Sequence, residues 1–433
     1  MNISNYYQEW DLDKLPWDAV TPVPPGEVHP ELLDRKLMDA INEQVLPSPD
    51  EMPPKSHGAA LAFLYLYMSL THGDEEKPSF NFTVRSTLPV GAGLGSSAAY
   101  SACIATALLL LHRRIELPPF PERSRLPADG DPGHVHVSHQ GRRAIPPTIA
   151  EEINRWAFVS EKVLHGNPSG VDNSIVVFGG ALAYTKPGFG KRSGMDKIHG
   201  YVATFGLILV LLMIHGFRFK SLKFLLTDSK VGRDTKRLVA GVAKKKEEEP
   251  EYVKAVFKSI QSICDEARRA LDDPELPREE LLAAISQLIE ENHSYLVGLG
   301  VSHDALELIR VKTAANPYKL STKLTGAGGG GCAVTLVPDE FSTSNLDALL
   351  SELRAENFEP YFTSVGGSGL GVLSPYDHGS EGASLFRGPV TPPETPSPSD
   401  MPNDTKPLRD QFSSVTEAQL NDWASGRGRW LYV

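Results

Sequence analysis

Apolar and periodically apolar runs, separated by breaks rich in glycine and proline, divide this chain into a series of helices with short strands between them. Gly58 to Leu70 predicts a helix, the segment near 80 to 88 a strand, and the Ala/Leu run through about His112 a second helix. Residues 118 to 148 interrupt the pattern with a Pro-rich polar insert. Helical spacing resumes at Ile149 to Leu164, and Ser174 to Thr185 reads as β-rich. From Leu222, the run LKFLLT predicts a strand leading to Asp228 and then a helix through about Lys246. Helices follow over 251–272, 278–297 and 302–315, then strands at Lys319 to Thr325 and Cys332 to Val337. Residues 345–355 read as helical and 361–373 as extended. Past Ser374 the Pro, Ser, Gly and Asp content predicts disorder as far as about Phe412. A last amphipathic stretch, Ser414 to Tyr432, carries Trp423 and Trp430 and is expected to dock back on the body. No internal repeat is visible.

Composition narrows the picture. With 433 residues, 41% hydrophobic and 22% charged, the chain is long enough for two or three domains. A net charge of -11 argues against nucleic-acid binding. Cys103, Cys264 and Cys332 are far apart and form no disulfide framework, which fits a reducing compartment. The N-terminal MNISNYYQEWDLDK has no apolar core of a signal peptide, and the C-terminal Leu431-Tyr432-Val433 is no peroxisomal address, so a cytoplasmic protein is expected. Tyr201 to Ile214 is apolar but spans 14 residues, short of the about 20 that cross a bilayer; it is not read as a membrane anchor. His134, His136 and His139 have no cysteine or carboxylate cluster beside them and read as an exposed loop, not a metal site.

Three motifs carry chemistry. The first, Pro89-Val90-Gly91-Ala92-Gly93-Leu94-Gly95-Ser96-Ser97-Ala98-Ala99, puts alternating glycines and two serines at the start of the Ala/Leu helix. Glycines let backbone curl around an anion, and a helix start offers unpaired N–H groups and a positive dipole end. The serines can cap the helix or ligate a magnesium ion held by a nucleotide. No lysine follows, which excludes the GxxxxGK[ST] loop; plain punctuation is the alternative. The second motif runs from Glu161 to Asn173 as EKVLHGNPSGVDN. It holds one carboxylate near a helix end and another just after a Pro/Gly turn, an arrangement that can bring two acids to one cleft. One acid could hold magnesium while the other accepts a proton from an attacking hydroxyl; a surface Glu and a capping Asp are the plainer alternative. His165 reads as a structural hydrogen-bonding residue. In the third motif, Gly326, Gly328 and Gly331 satisfy GxGxxG, but the following CAVTLV reads as a strand, so the dinucleotide reading fails. Glycines between two strands indicate close backbone approach to another group, either a phosphate or a neighbouring part of the protein.

Together these motifs resemble the GHMP kinase superfamily and, within it, the mevalonate kinases. LAFLYLY (61–67), PVGAGLGSSAAYS (89–101), HGNPSGVDN (165–173), LLTDSKVGRDTKRLVAGV (225–242) and KLTGAGGGGCAVTL (323–336) are similar to segments of that family, in the family's order. The likeness covers roughly residues 10 to 373, and HGNPSGVDN separates it from galactokinases and homoserine kinases. The resemblance implies an α+β GHMP kinase two-domain fold. Its N-terminal domain, ribosomal protein S5 domain 2-like, would occupy residues 1–227, and its ferredoxin-like C-terminal domain residues 228–374, with 375–433 a mostly disordered tail. It also implies ATP-dependent phosphorylation of mevalonate to 5-phosphomevalonate in isoprenoid and sterol precursor synthesis, by a homodimer. In that scheme Asp172 is the catalytic base on the C5 hydroxyl, and Ser97 and Glu161 bind Mg2+ on the ATP phosphates. Gly91, Gly93, Leu94, Gly95, Ser96 and Ser97 line the phosphate cradle, joined by Gly326, Ala327, Gly328 and Gly329. Thr235 and Ala327 lie near the substrates. A non-catalytic relative that binds a ligand or partner is the alternative.

Three departures accompany the likeness. The family's first motif, a strand and turn bearing a lysine and a histidine, has no match here. Asn2 to Trp17 already resembles the region beyond it, so roughly the first sixth of a typical member is expected to be missing. A chain without those contacts is expected to be a poor kinase or an inactive one. Residues 201–216 have no family counterpart and are bracketed by Ile198-His199-Gly200 and Ile214-His215-Gly216, which suggests translated intervening sequence. The tail after 374 is longer than the family core requires.

Overall fold

The computed structural model describes residues 8–21, 33–47, 51–71, 94–117, 145–185, 194–198, 221–232, 234–365, 369–374 and 429–433, with Lys77, Phe80, Phe82, Val84, Ser86 and Leu88. The histidine-bearing insert at 118–144, the apolar run 201–216, the tail over 375–428 with Trp423, and Gly91 and Gly93 lie outside the described residues. The chain forms two compact units. One comprises Met1–Pro89, Ser97–Val177 and Gly369–Val433, the other Val90–Ser96 and Phe178–Ser368.

The first unit is built on helices α1 (Arg35–Gln44), α2 (Pro54–Thr71), α3 (Ser96–Leu111), α4 (Pro147–His165) and α5 (Val171–Phe178). Asp34 caps α1, its carboxylate accepting from the Leu37 N–H at 3.1 Å. Helices α2 and α3 are apolar on nearly every side, as a helix must be when it is buried all round. Tyr65, Leu66 and Met68 of α2 and Ala98, Ala102 and Ala105 of α3 are fully buried. An aromatic group extends this core: Phe63 stacks on Phe82 with ring centroids 5.0 Å apart, and Tyr67 tilts against Phe80 at 5.5 Å. From α4, Ile153, Trp156 and Ala157 are buried in turn. Helix α5 corrects the β reading of Ser174 to Thr185. The β-branched run Ser174–Phe178 is helical, started by Ser169, whose Oγ accepts from the Val171 N–H at 3.3 Å, and only Ala181–Thr185 is a strand. Of the strand expected at 80–88, the described residues Phe80, Phe82, Val84, Ser86 and Leu88 are assigned to none.

The second unit contains β1 (Ala181–Thr185), β2 (Gly194–Ile198), β3 (Leu222–Asp228), α6 (Thr235–Glu248), α7 (Pro250–Asp272), α8 (Arg278–Gly298), α9 (Asp304–Ala314), β4 (Thr322–Leu324), β5 (Cys332–Val337), α10 (Thr343–Ala355) and β6 (Glu359–Val365). Strands β1 and β2 form an antiparallel pair; the larger sheet is antiparallel in the order β4-β5-β3-β6. Its register sets Leu225 opposite Thr335 and Phe224 opposite Leu336. Alternate side chains therefore go to opposite faces. Leu225, Ala333 and Val337 pack with Leu306 and Ile309 of α9 and Leu349 and Leu353 of α10. Leu222, Phe224 and Leu336 pack with Ile263 of α7 and Leu281 and Ile285 of α8. The expected strand at Lys319 to Thr325 is shorter than its sequence suggests, because Lys319 takes a left-handed φ of 52° and pairing begins only at Thr322.

The first unit closes with β7 (Gly371–Ser374) and β8 (Arg429–Tyr432), an antiparallel pair. Tyr432 O accepts from the Ile145 N–H at 3.1 Å, the Val433 N–H donates to Leu370 O at 3.0 Å, and Leu431 and Val433 are buried. The C-terminal stretch thus docks back through its last residues. Among the described residues no helix is long and apolar enough to cross a membrane.

Candidate active site

Helices α4 and α5 are joined by a tight turn that separates two carboxylates by environment. Gly166, at φ 74°, ends α4 with its N–H on Lys162 O at 2.8 Å, and Gly170, at φ 78°, precedes α5. The turn leaves Asp172 exposed in the first turn of α5, where a negative charge is favoured by the helix dipole. Glu161, one turn before the end of α4, is only 3% exposed.

Helix α3 supplies the partners of Glu161. Ser97 and Ser101 stand one helical turn apart on one face. Ser97 donates to Glu161 Oε2 at 3.3 Å and Ser101 to Oε1 at 3.0 Å. Ser101 Oγ also lies 2.8 Å from Ser160 Oγ, and its single proton serves one of these partners at a time. His165 brings Nε2 to 3.1 Å from Ser97 Oγ and 3.8 Å from Glu161 Oε2, the structural role its sequence position suggested. No Lys or Arg pairs with Glu161 among the described residues. Burial lifts the Glu161 carboxyl above its ordinary pKa. The hydrogen bonds from Ser101 and Ser97 and the charge of His165 pull it back, while the charge of Asp172 lifts it further.

The result is a buried carboxylate with a hydroxyl on each oxygen and a second carboxylate near enough to be felt. Leu94 and Gly95 lead into α3, Gly95 with a left-handed φ of 75°, and Ser96 and Ser97 occupy the helix's first turn. The first-turn N–H groups of a helix have no intrahelical acceptors, so this end is suited to an anion. Ser101 and Ser160 did not stand out in the sequence. The signal was present in the Ser97–Ser101 spacing of four, which puts both hydroxyls on one helix face, and in Ser160 preceding Glu161.

In the second unit, the glycine run forms a loop between β4 and β5. Its neck is closed by Thr325, whose N–H and Oγ1 both donate to Cys332 O, at 3.1 and 2.8 Å. Gly326, Gly328, Gly329, Gly330 and Gly331 all have positive φ. The Gly328 N–H donates to Thr325 O at 3.3 Å, the Gly329 N–H to Val301 O at 2.8 Å and the Gly331 N–H to Val231 O at 3.0 Å. A Cβ on Gly328 would stand 1.9 Å from Val301 O, and one on Gly329 2.6 Å from Leu238 Cδ1. The close approach that these glycines permit is therefore to segments of their own unit. Ala327 is half-buried at the loop's turn. Thr235 is the first residue of α6, which Asp234 caps by accepting from the Arg237 N–H at 2.9 Å.

The family model described as GHMP kinases N terminal domain matches residues 59–121. A mevalonate kinase of Gibberella zeae is 35% identical over 376 residues, covering 84% of this chain and 66% of the relative. The human mevalonate kinase is 37% identical over 333 residues, covering 77% of this chain and 73% of the relative. The chain thus spans about two thirds of the fungal relative's length. Among solved structures, that of L. major mevalonate kinase in complex with R-mevalonate aligns with 74% of this chain and 81% of its own, at 21% identity and a TM-score of 0.49.

Proposed function

The chain belongs to the mevalonate kinase family, within the GHMP kinases, and we propose that it transfers the γ-phosphoryl group of ATP to the C5 hydroxyl of mevalonate. The observation that carries this reading is Glu161. It is a buried carboxylate, held by Ser97 and Ser101, approached by His165 and with no Lys or Arg partner among the described residues, beside an exposed Asp172 on the next helix. Two carboxylates in such different environments divide the work of a phosphoryl transfer.

Ser97 and Glu161 are a hard-oxygen donor pair and fit Mg2+, which typically takes one or two protein ligands and completes its shell with phosphate oxygens and water. Among the described residues no group of three or more His, Cys, Asp or Glu could hold a metal. Bound there, Mg2+ would neutralise charge on the ATP phosphates. The start of α3, with Gly91, Gly93, Leu94, Gly95 and Ser96, cradles the phosphates through backbone N–H groups. Asp172 accepts the hydroxyl proton of mevalonate. Gly326, Ala327, Gly328 and Gly329 shape the nucleotide side, with Thr235 and Ala327 close to the substrates. The enzyme acts as a cytoplasmic homodimer supplying sterol and other isoprenoid precursors.

The purified protein, given ATP and Mg2+ with mevalonate, 5-phosphomevalonate or 5-diphosphomevalonate in turn, tests this by mass spectrometry of the products. Phosphorylation of mevalonate alone is expected. Turnover of a phosphorylated form in place of mevalonate would overturn it.

A further inference from the structure

His293 lies on α8, only 2% exposed, and the phosphoryl-transfer scheme gives it no task. Its two ring nitrogens have different partners. Nδ1 faces the Leu324 N–H at 3.3 Å, so it accepts, and the ring proton sits on Nε2. Nε2 in turn donates to Glu307 of α9, 3.1 Å from Oε1 and 3.4 Å from Oε2. The same carboxylate accepts a short hydrogen bond from Ser302 Oγ. Desolvation would raise the Glu307 pKa, but the hydrogen bonds from Ser302 and His293 and the charge of Arg310 outweigh it and hold the carboxyl below its ordinary value, a strong acceptor for both donors.

The residues at the two ends of this chain of bonds flank the glycine loop. Leu324 is the last residue of β4, directly before Thr325, whose bonds to Cys332 close the neck of the loop. Ser302 directly follows Val301, whose carbonyl receives the Gly329 N–H and leaves no room for a Cβ on Gly328. One histidine ring thus ties the strand that feeds the loop to the segment on which the loop rests.

We propose that His293, Glu307 and Ser302 are positioning residues for the nucleotide, holding the glycine loop 326–331 in the shape that receives the ATP phosphates; this rests on the reading of that loop as part of the nucleotide site. None of the three touches the reacting atoms. They act through Val301 and Leu324, and a loop whose floor or neck shifts presents its backbone wrongly.

Hydrogen exchange of peptides spanning 324–332, the dissociation constants for ATP and for mevalonate, and the melting temperature test this in the full chain. Ser302→Ala and Glu307→Ala should each speed exchange in the loop and weaken ATP roughly tenfold, the effect of one charge-assisted hydrogen bond, with mevalonate binding within about twofold of wild type. Glu307→Gln, which keeps an oxygen acceptor and the side-chain volume, should restore most of both readouts and guards against a variant that merely misfolds. Unchanged loop exchange overturns the proposal, as does a parallel loss of ATP and mevalonate binding with a lowered melting temperature. Gly329→Ala separates the two layers. If it weakens ATP while the Ser302 and Glu307 variants leave exchange and ATP affinity alone, the loop reading stands and the positioning role falls. If loop exchange rises in those variants with ATP affinity unchanged, and Gly329→Ala also leaves ATP binding intact, the loop reading itself is wrong and the nucleotide role falls with it.

Discussion

At Glu161, side chains from two helices converge on a buried charge that no Lys or Arg among the described residues cancels. At the glycine loop, backbone converges on backbone, and the N–H groups of Gly328, Gly329 and Gly331 are satisfied within the unit. The first region stores an electrostatic demand and the second a shape. A site of the first kind is altered by removing a charge while its packing survives. A site of the second kind is altered by adding a single carbon, whatever its polarity. The two should therefore fail differently under substitution.

The largest effect is expected at Gly328. Its φ of 76° and the Val301 carbonyl, 1.9 Å from where a Cβ would stand, obstruct any side chain, and a backbone obstacle cannot swing away. Gly328→Ala should cost about 3 kcal/mol or more by denaturant unfolding. Gly329→Ala should cost distinctly less, since its obstacle is the end of the Leu238 side chain. Equal costs would show that positive φ alone, and not the close approach, sets the requirement.

Next comes Asp172. Being exposed, it contributes little to packing, so Asp172→Asn should leave the melting temperature and ATP affinity nearly unchanged while turnover falls by at least ~10²-fold. Near-normal kcat would remove Asp172 from the proton-accepting role.

The same contrast explains what was legible in the sequence. Residue type announces a candidate side-chain site: a serine at a helix start and two acids around a Pro/Gly turn singled out Ser97, Glu161 and Asp172, left a capping or surface role open for each, and only the family resemblance gave them parts in one reaction. Glycine announces only permission. The run at 326–331 showed that something must come close, and only the fold identifies it as Val301, just past the end of α8, Val231, just past the end of β3, and Leu238 of α6. His293 was silent for the same reason, since its partners Leu324 and Glu307 meet through the sheet register and the packing of α8 and α9. Most helices were readable from period and composition. The miss at Ser174–Phe178 came from a β-branched run whose start signals, Ser169 and Gly170, decided for helix.

A smaller effect separates the two hydroxyls on Glu161. Ser101→Ala removes the bond to Oε1 from a fully buried position and should destabilise the fold by ~1 kcal/mol in thermal or denaturant melts. Ser97, at the start of α3, is half-buried and assigned to the metal, so Ser97→Ala should act mainly on magnesium dependence, read by titrating Mg2+ against rate. If the two variants behave alike, the division between a holding and a ligating serine is wrong.

The smallest effect tests whether the charge at Glu161 is a functional burden on the fold. Burial above all raises its carboxyl above the ordinary 4.5. A group that binds its proton more tightly in the folded state than in the unfolded one stabilises the fold most fully below the unfolded value. That contribution is lost as pH rises through the folded value. At neutral pH Glu161 is therefore held as a carboxylate at a cost, whereas Gln carries no charge at any pH. Glu161→Gln should melt above wild type at about pH 7 to 8 in the absence of nucleotide and divalent metal. The gap should close as pH falls through the raised value towards 4.5, where the wild-type side chain becomes neutral as well. The same variant should lose magnesium-dependent turnover more than mevalonate affinity, because the charge that burdens the empty fold is the one the cation requires. A melting gap that does not change with pH would mean that the gain, or the loss, comes from hydrogen bonding to Ser97 and Ser101 and not from the charge.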